Sequence, residues 1–478
     1  MKPHTLLLAL LTLLPPLSPQ PSRAASYIVL ASETTASQED WRQVIDTLVS
    51  KHQAELIPFQ HSPKESHSAL QTHFPRFVAI VAQPTEVSRQ LVVDIHQLAR
   101  QLDDDPYTDF FWGIVTGYNA SNALAIARET SPLTIRKVAA GTELAMNMVE
   151  EGLWFCELNR NKMIKKEAGK HPTQLNGPSD TTQSLVESLN TYQPDLFVTS
   201  GHATEHDWQI GFRYQNGYFK HNQGQLYGLD THGSQHPIQS PNPKVYLPVG
   251  NCLMGHIDQP DCMATSWMNS AGVRQMPGYI QPTWYGYMGW GILDYFVEQP
   301  GRYSLTEAFF ANHHALMHRL LTYFPEAANL PVDTSGRPAK RPATTPQADV
   351  ARLNAMDALG LLFDRDMVVF YGDPAWEARM APHPLAYDQS LIIKENHLYE
   401  LTIQPQRGAE SFAPINTNGS QRGGRPFVAF LPHRISNPHV IEGQDLQPVI
   451  TDSFILIPNP LTCDPEKTYT VRFTADIL

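Results

Sequence analysis

Two apolar runs constrain this chain more than anything else in it. Asp195–His202 (DLFVTSGH) climbs through buried-type residues and stops at Ser200-Gly201-His202. Val245–Gly255 (VYLPVGNCLMG), led by Lys244, climbs to Gly250 and Asn251 and stops at Cys252. Each reads as a buried strand that delivers one reactive side chain at its C-terminal end, the edge where open parallel α/β sheets bind ligands. A thiolate is a strong nucleophile near neutral pH, and imidazole is the base whose pKa lies near working pH. Singly, a cysteine after a strand is usually a small core residue and a lone histidine a structural one. Together, each within two residues of a glycine, they point to acyl transfer, with Cys252 attacking and His202 handling the proton.

The flanking residues suit that chemistry. Gly250 allows a tight turn before Cys252, and Gly201 and Ala203 let a substrate backbone come close to His202. The N–H groups of Cys252 and Ala203 are the expected oxyanion donors. Glu205 and Asp207 lie near enough in sequence to orient His202, although a solvated loop suits both.

Around these runs strand and helix alternate at βαβ spacing. Tyr27–Ala31, Leu56–Phe59, Phe77–Ala82 and Phe110–Thr116 read as strands. Glu39–His52, Val87–Leu102 and Ala120–Glu129 carry helical periodicity, the last capped by Asn119 or Ser121. Glu143–Gly152 reads as a helix and Asn159–Asp180 as a polar surface loop. Trp208–Gly228 predicts a hairpin around Asn216-Gly217, and Ser234–Lys244 a Pro-rich connection. Helices follow at Ala264–Ser270, Leu305–Thr322 and Asp349–Leu362, with strands at Val273–Ile280 and Met367–Tyr371. From about Leu385 the period changes to short strands without helices, a small β-sandwich. The expected division is 1–25, 26–150, 151–382 and 383–478.

At 478 residues the chain needs more than one core, and its net charge of −12 argues against a general nucleic-acid or anionic-membrane binder. Lys2 and His4, the run Leu6–Leu14 and the small residues of Ser22-Arg23-Ala24-Ala25 read as a secretory signal peptide, with a retained anchor as the alternative. The expected destination is therefore secreted or periplasmic, with no stable membrane insertion. Cys156, Cys252, Cys262 and Cys463 form neither a disulfide framework nor a zinc pattern, although Cys252 and Cys262 are close enough to bridge.

Asp103, Asp104, Asp105 and Asp109 offer oxygen donors for a hard cation, so a structural calcium is one reading and a solvated acidic turn the other. His206, His256, His313 and His314 match no HExxH spacing, so no catalytic metal or other cofactor is required.

LFVTSGHATEHDW (Leu196–Trp208) resembles the histidine segment of gingipain-like cysteine peptidases, where an apolar strand ends in Gly-His-Gly. VYLPVGNCLMG resembles their strand ending in a small residue and then Cys, and FYGDPAW (Phe370–Trp376) the Gly-Asp-Pro segment that closes their catalytic domain. The resemblance implies an α/β fold: a caspase-like α/β/α region of two side-by-side subdomains, then an Ig-like β-sandwich. It implies a Cys252–His202 dyad acting on protein or peptide substrates. It also places Tyr279–Trp290, including Trp284, Tyr285, Tyr287 and Trp290, along a substrate cleft. Ala203 and Asn251 depart from the family pattern. They keep open a non-catalytic scaffold, beside a Cys-dependent transpeptidase or amidase. Lys162–Lys170 and Arg337–Arg341 read as exposed basic loops open to processing.

Overall fold

A computed structural model describes residues 26–478, apart from the side chain of Asn396. The signal-peptide reading of residues 1–25 lies outside them. One twelve-stranded sheet runs through the α/β part. Its first half orders the strands Glu55–Phe59, Tyr27–Ser32, Phe77–Val81, Phe111–Val115 and Val368–Tyr371, all parallel. Its second half continues with Val273–Tyr279, Lys244–Pro248, Leu196–Thr199, Lys137–Ala140 and Glu151–Phe155, again parallel to one another. The halves meet antiparallel, Tyr279 opposite Val368 and Met276 opposite Tyr371. They are thus two α/β units side by side whose C-terminal edges face opposite ways.

The buried strands and amphipathic helices expected from periodicity form where apolar residues recur. Trp41, Val44, Ile45 and Leu48 bury one face of Glu39–His52. The Asn119 side chain caps Ala120–Arg128 by accepting from the Ser121 and Asn122 amides. A reciprocal Ser304–Glu307 capping box starts Leu305–Tyr323, which lies largely buried.

Several local expectations are corrected. Residues 143–152 form no helix; a 3₁₀ turn at Met146–Met148 leads into the strand Glu151–Phe155, where pairing with Lys137–Ala140 outweighs local propensity. That partner strand already belongs to the second half of the sheet, which therefore begins before the division at 150. The polar segment 159–180 holds the strands Lys162–Lys166 and Thr173–Asn176, which extend the sheet edge. The edge strand Thr173–Asn176 is exposed throughout and needs little apolar sequence. Tight turning in the excursion after His202 occurs at Gln223-Gly224, with φ of 49° and 73°, as a primed hairpin turn requires. Asn216 is buried instead, its Oδ1 accepting from the Thr181 amide at 3.0 Å. The Pro-rich connection contains a strand, Gln235–Pro237, paired with Gln225–Leu229. The helix expected over 349–362 is displaced to Ala355–Asp366, where Asn354 caps it.

From Tyr387 the chain forms two antiparallel sheets of four and three strands. Tyr399, Leu401 and Phe473 of one share a core with Phe427, Ile455 and Ile457 of the other, so the sheets pack face to face. Arg422 docks this domain through ion pairs with Asp294 and Glu298. Arg434 docks it through the carbonyls of Phe74 and Pro75, at 3.0 and 2.6 Å. Among the described residues no helix is long and apolar enough to cross a membrane.

Candidate active site

The two apolar runs are adjacent parallel strands, in register from Leu196 opposite Val245 to Thr199 opposite Pro248. Every residue of both is buried. His202 follows three residues after Thr199 and Cys252 four after Pro248, so the pairing carries both groups to one sheet edge.

Asn251 stitches the two strand ends together. Fully buried, it accepts from Thr199 Oγ1 at 2.6 Å through Oδ1 and donates to the Gly201 carbonyl at 3.1 Å through Nδ2. Thr199 in turn bonds the Tyr246 hydroxyl at 2.9 Å. Leu253, directly after Cys252, sits at φ 59°, a left-handed conformation that is costly for a bulky side chain and is held here by its surroundings. Gly250 is required because the Trp290 indole covers it: a Cβ would lie 2.8 Å from Nε1. Gly201 turns the chain at φ 98°.

Cys252 and His202 line one cavity of about 480 Å³, together with Gly201, Gly250, Phe212, Trp284 and Tyr285. No hydrogen bond joins Cys252 to His202. Cys252 Sγ lies 3.9 Å from the Thr283 carbonyl, and the His202 ring lies 5.2 Å from that of Phe212, tilted by 30°. Such contacts commonly tighten only when substrate binds. All four cysteines are free, so no Cys252–Cys262 bridge blocks the thiol.

Other expected site residues serve different ends. Trp284 is 47% exposed at the cavity and open to a ligand, whereas Tyr285 is buried and directs its hydroxyl to Asp357 at 3.3 Å. Tyr287 is core: the Arg425 guanidinium lies 3.7 Å over its ring. Ala203 pairs with Trp208 to close the loop after His202. Neither acid in that loop orients His202. Glu205 holds His256 Nδ1 at 2.8 Å, and Asp207 pairs with Lys220 at 3.2 Å.

Sequence reasoning missed two contributors. Glu143 and Glu157 line the cavity. Burial pushes the Glu157 carboxyl up, with the Glu143 charge acting in the same direction, while Trp154 Nε1 donates to it at 3.2 Å. The buried aromatic pair Trp154-Phe155 just upstream was the available signal. The second contributor is the C-terminal domain, whose Asn418, Gly419 and Ser420 form one wall. Asn418 Nδ2 donates to Glu143 at 2.6 Å and Ser420 Oγ to the Tyr285 carbonyl. Nothing in that Gly/Ser/Asn-rich loop distinguishes it from an ordinary surface connection.

The acidic stretch meets the C-terminal domain elsewhere. Oxygens of Asp103, Asp105 and Asp452 lie within 4.8 Å of one another, while Asp104 points to solvent and Asp109 is buried behind. Burial, reinforced by the Asp103 charge, pushes Asp105 up to about 7 and Asp109 up to about 9. Arg434, paired with Asp452, supplies the facing positive charge. His313 accepts or donates at 3.1 Å with Thr108, and His314 stacks on Phe454; both belong to the core.

No family model matches the sequence, and no curated protein does. Among solved structures the chain is similar to the Arg-specific cysteine proteinase gingipain R, at 10% identity over 96% of this chain and 97% of that one, with a TM-score of 0.44. It is likewise similar to the complex of Porphyromonas gingivalis RgpB pro- and mature domains, at 10% identity over 94% and 97%, TM-score 0.44. A third similar structure is described only as a protease, at 8% identity over 95% and 97%, TM-score 0.38.

Proposed function

We propose that this chain is an exported cysteine endopeptidase working through Cys252 and His202. The observation that carries the reading is one cavity holding a thiol and an imidazole delivered by adjacent parallel strands, with strained backbone directly after the thiol. His202 takes the Cys252 proton as sulfur attacks the scissile carbonyl carbon. Developing negative charge on the oxygen falls to backbone N–H groups. Those of Cys252 and Ala203 suit the role, since neither donates elsewhere among the described residues. The imidazolium then protonates the leaving amine, leaving a thioester. Water, deprotonated by His202, attacks that thioester, and the thiol and carboxylic product separate.

Glu157 and Glu143 make the cavity electronegative, which favours a cationic side chain on the residue whose carbonyl is attacked. Trp284 offers that side chain or its neighbours an apolar face. An amine acceptor in place of water would make the same acyl-enzyme a transpeptidase.

The test is the alkylation rate of Cys252 against pH in the wild type and in His202→Ala, beside cleavage of a peptide library. Fast alkylation well below the pH of a free thiol, lost in His202→Ala and accompanied by cleavage after Arg or Lys, is expected. A slow rate unchanged by the substitution, with no cleavage, would leave a scaffold that only binds peptide.

A further inference from the structure

Four residues beyond His202, His206 faces His221 with His206 Nδ1 and His221 Nε2 3.0 Å apart. The outer nitrogen of each ring is already engaged. Asp258 Oδ2 lies 3.0 Å from His206 Nε2, and Asp261 Oδ1 lies 2.9 Å from His221 Nδ1. Asp261 is itself pinned by the Gln223 and Gly224 amides, at 2.9 and 2.8 Å.

Counting protons shows what this arrangement lacks. An ionised carboxylate only accepts, so Asp258 and Asp261 each require N–H on the ring nitrogen they face. Both rings, if neutral, then turn bare lone pairs toward each other across 3.0 Å. Only a cation between those nitrogens makes the contact attractive. A single proton would do so but would leave two carboxylates facing one positive charge. The remaining charges nearby are accounted for: Lys220 pairs with Asp207, and Arg89 with Glu205 beside His256. A divalent ion balances both aspartates.

We propose that His206 Nδ1 and His221 Nε2 are the protein ligands of a divalent d-block metal site, of the zinc class. Tetrahedral zinc with its usual Zn–N bonds sets two imidazole nitrogens about 3.3 Å apart, so the pair needs to open only slightly. Carboxylates on the outer nitrogens are what fixes the tautomer and strengthens the donor in such sites. Nitrogen donors select zinc, copper or nickel over magnesium or calcium. His206 is 45% exposed on its side chain, which leaves the remaining positions to water. His221, by contrast, is held at 7% on the strand Tyr218–Asn222.

The position gives the site a consequence. His206 rides on the loop that follows His202, while Asp258 and Asp261 belong to the connection between Cys252 and the helix Met263–Ser270. A metal there ties the loop after His202 to the strand Tyr218–Asn222, and the outer bonds to Asp258 and Asp261 link that pair to the connection after Cys252.

The experiment uses the full chain carrying Cys252→Ala, so that the thiol–imidazole pair cannot take the ion. Zinc is titrated against a chromophoric chelator, and cobalt is followed by its visible absorption. One ion per chain is expected, with a rise in melting temperature. His206→Gln and His221→Gln should each weaken binding by more than tenfold, and Asp258→Asn by roughly tenfold, the usual size of an outer-carboxylate effect. His206 and Asp258 are solvent-facing, so these variants keep the fold, which circular dichroism checks. No zinc uptake, with imidazole NMR showing one shared N–H···N proton, would overturn the proposal. So would zinc bound equally well by both histidine variants. Neither result depends on whether the chain cleaves peptides.

Discussion

Asn251 Nδ2 donates to the Gly201 carbonyl at 3.1 Å, joining the residue before the candidate nucleophile to the residue before the candidate base. The same side chain accepts from Thr199 at 2.6 Å, so one buried amide fixes the spacing of two strand ends. Asn251→Ala would leave the Gly201 carbonyl without its donor and the buried Thr199 hydroxyl with Tyr246 as its remaining partner, at a cost of about 1–3 kcal/mol. The expected result is a lower melting temperature and a kcat/KM reduced by roughly 10–100-fold, as small misplacements of a reacting group produce. Asn251→Leu, which fills the space without the bonds, should be no better. Unchanged kinetics in a folded Asn251→Ala would separate this stitch from the site.

Glu157→Gln removes a buried carboxylate from the cavity that Cys252 and His202 line, while keeping its shape and its bond from Trp154. Peptides with Arg or Lys before the cut should lose at least tenfold in kcat/KM, and neutral peptides little. Glu157 is pushed up by burial, so it is charged only above a pH higher than usual for a carboxylate. Preference for cationic peptides should therefore fade on acidification sooner than an exposed Glu would allow. A preference flat with pH and unaltered in the variant would assign specificity elsewhere.

At the junction of the acidic stretch, Asp105 at about 7 and Asp109 at about 9 hold their protons in the folded state far above the pH at which they lose them when unfolded. Between the unfolded value, near 4, and those folded values the native state binds more protons. Stability should accordingly fall as pH rises through that window, and Asp109→Asn should remove part of the fall. Thermal unfolding from pH 5 to 9 measures it. Added calcium should offset the loss at high pH if Asp103, Asp105 and Asp452 hold the ion, and should change nothing if protons alone relieve the charge.

Arg422, 1% exposed on its side chain, joins the C-terminal domain to Asp294 and Glu298, each 5% exposed. Arg422→Ala leaves buried Glu298 without its ion-pair partner, while Asp294 keeps Arg425 at 3.1 Å, a loss of about 3–5 kcal/mol. Because Asn418, Gly419 and Ser420 wall the cavity, undocking this domain should raise KM as well as expose it to proteolysis. Limited digestion beside steady-state kinetics tests both. A chain cut after the α/β part with full activity would make the domain a passenger.

What the sequence determined by itself was the local physics. Apolar runs became buried strands, helical periodicity became helices, and reactive residues just past strand ends were brought to one edge because parallel neighbours share direction. The meeting of Cys252 and His202 at one edge was legible for that reason. Tertiary structure decided everything that depends on which segments meet. The strands at Glu151–Phe155 and Lys162–Lys166 exist through pairing partners their own sequence does not name. Glu157 and Asn418 reach the cavity through packing of the sheet edge and of a domain distant in sequence. His206 meets His221 because a hairpin folds back across the loop after His202. A side chain's chemistry is written in its residue type, but the field it works in comes from neighbours distant in sequence, whose contacts only the folded chain creates.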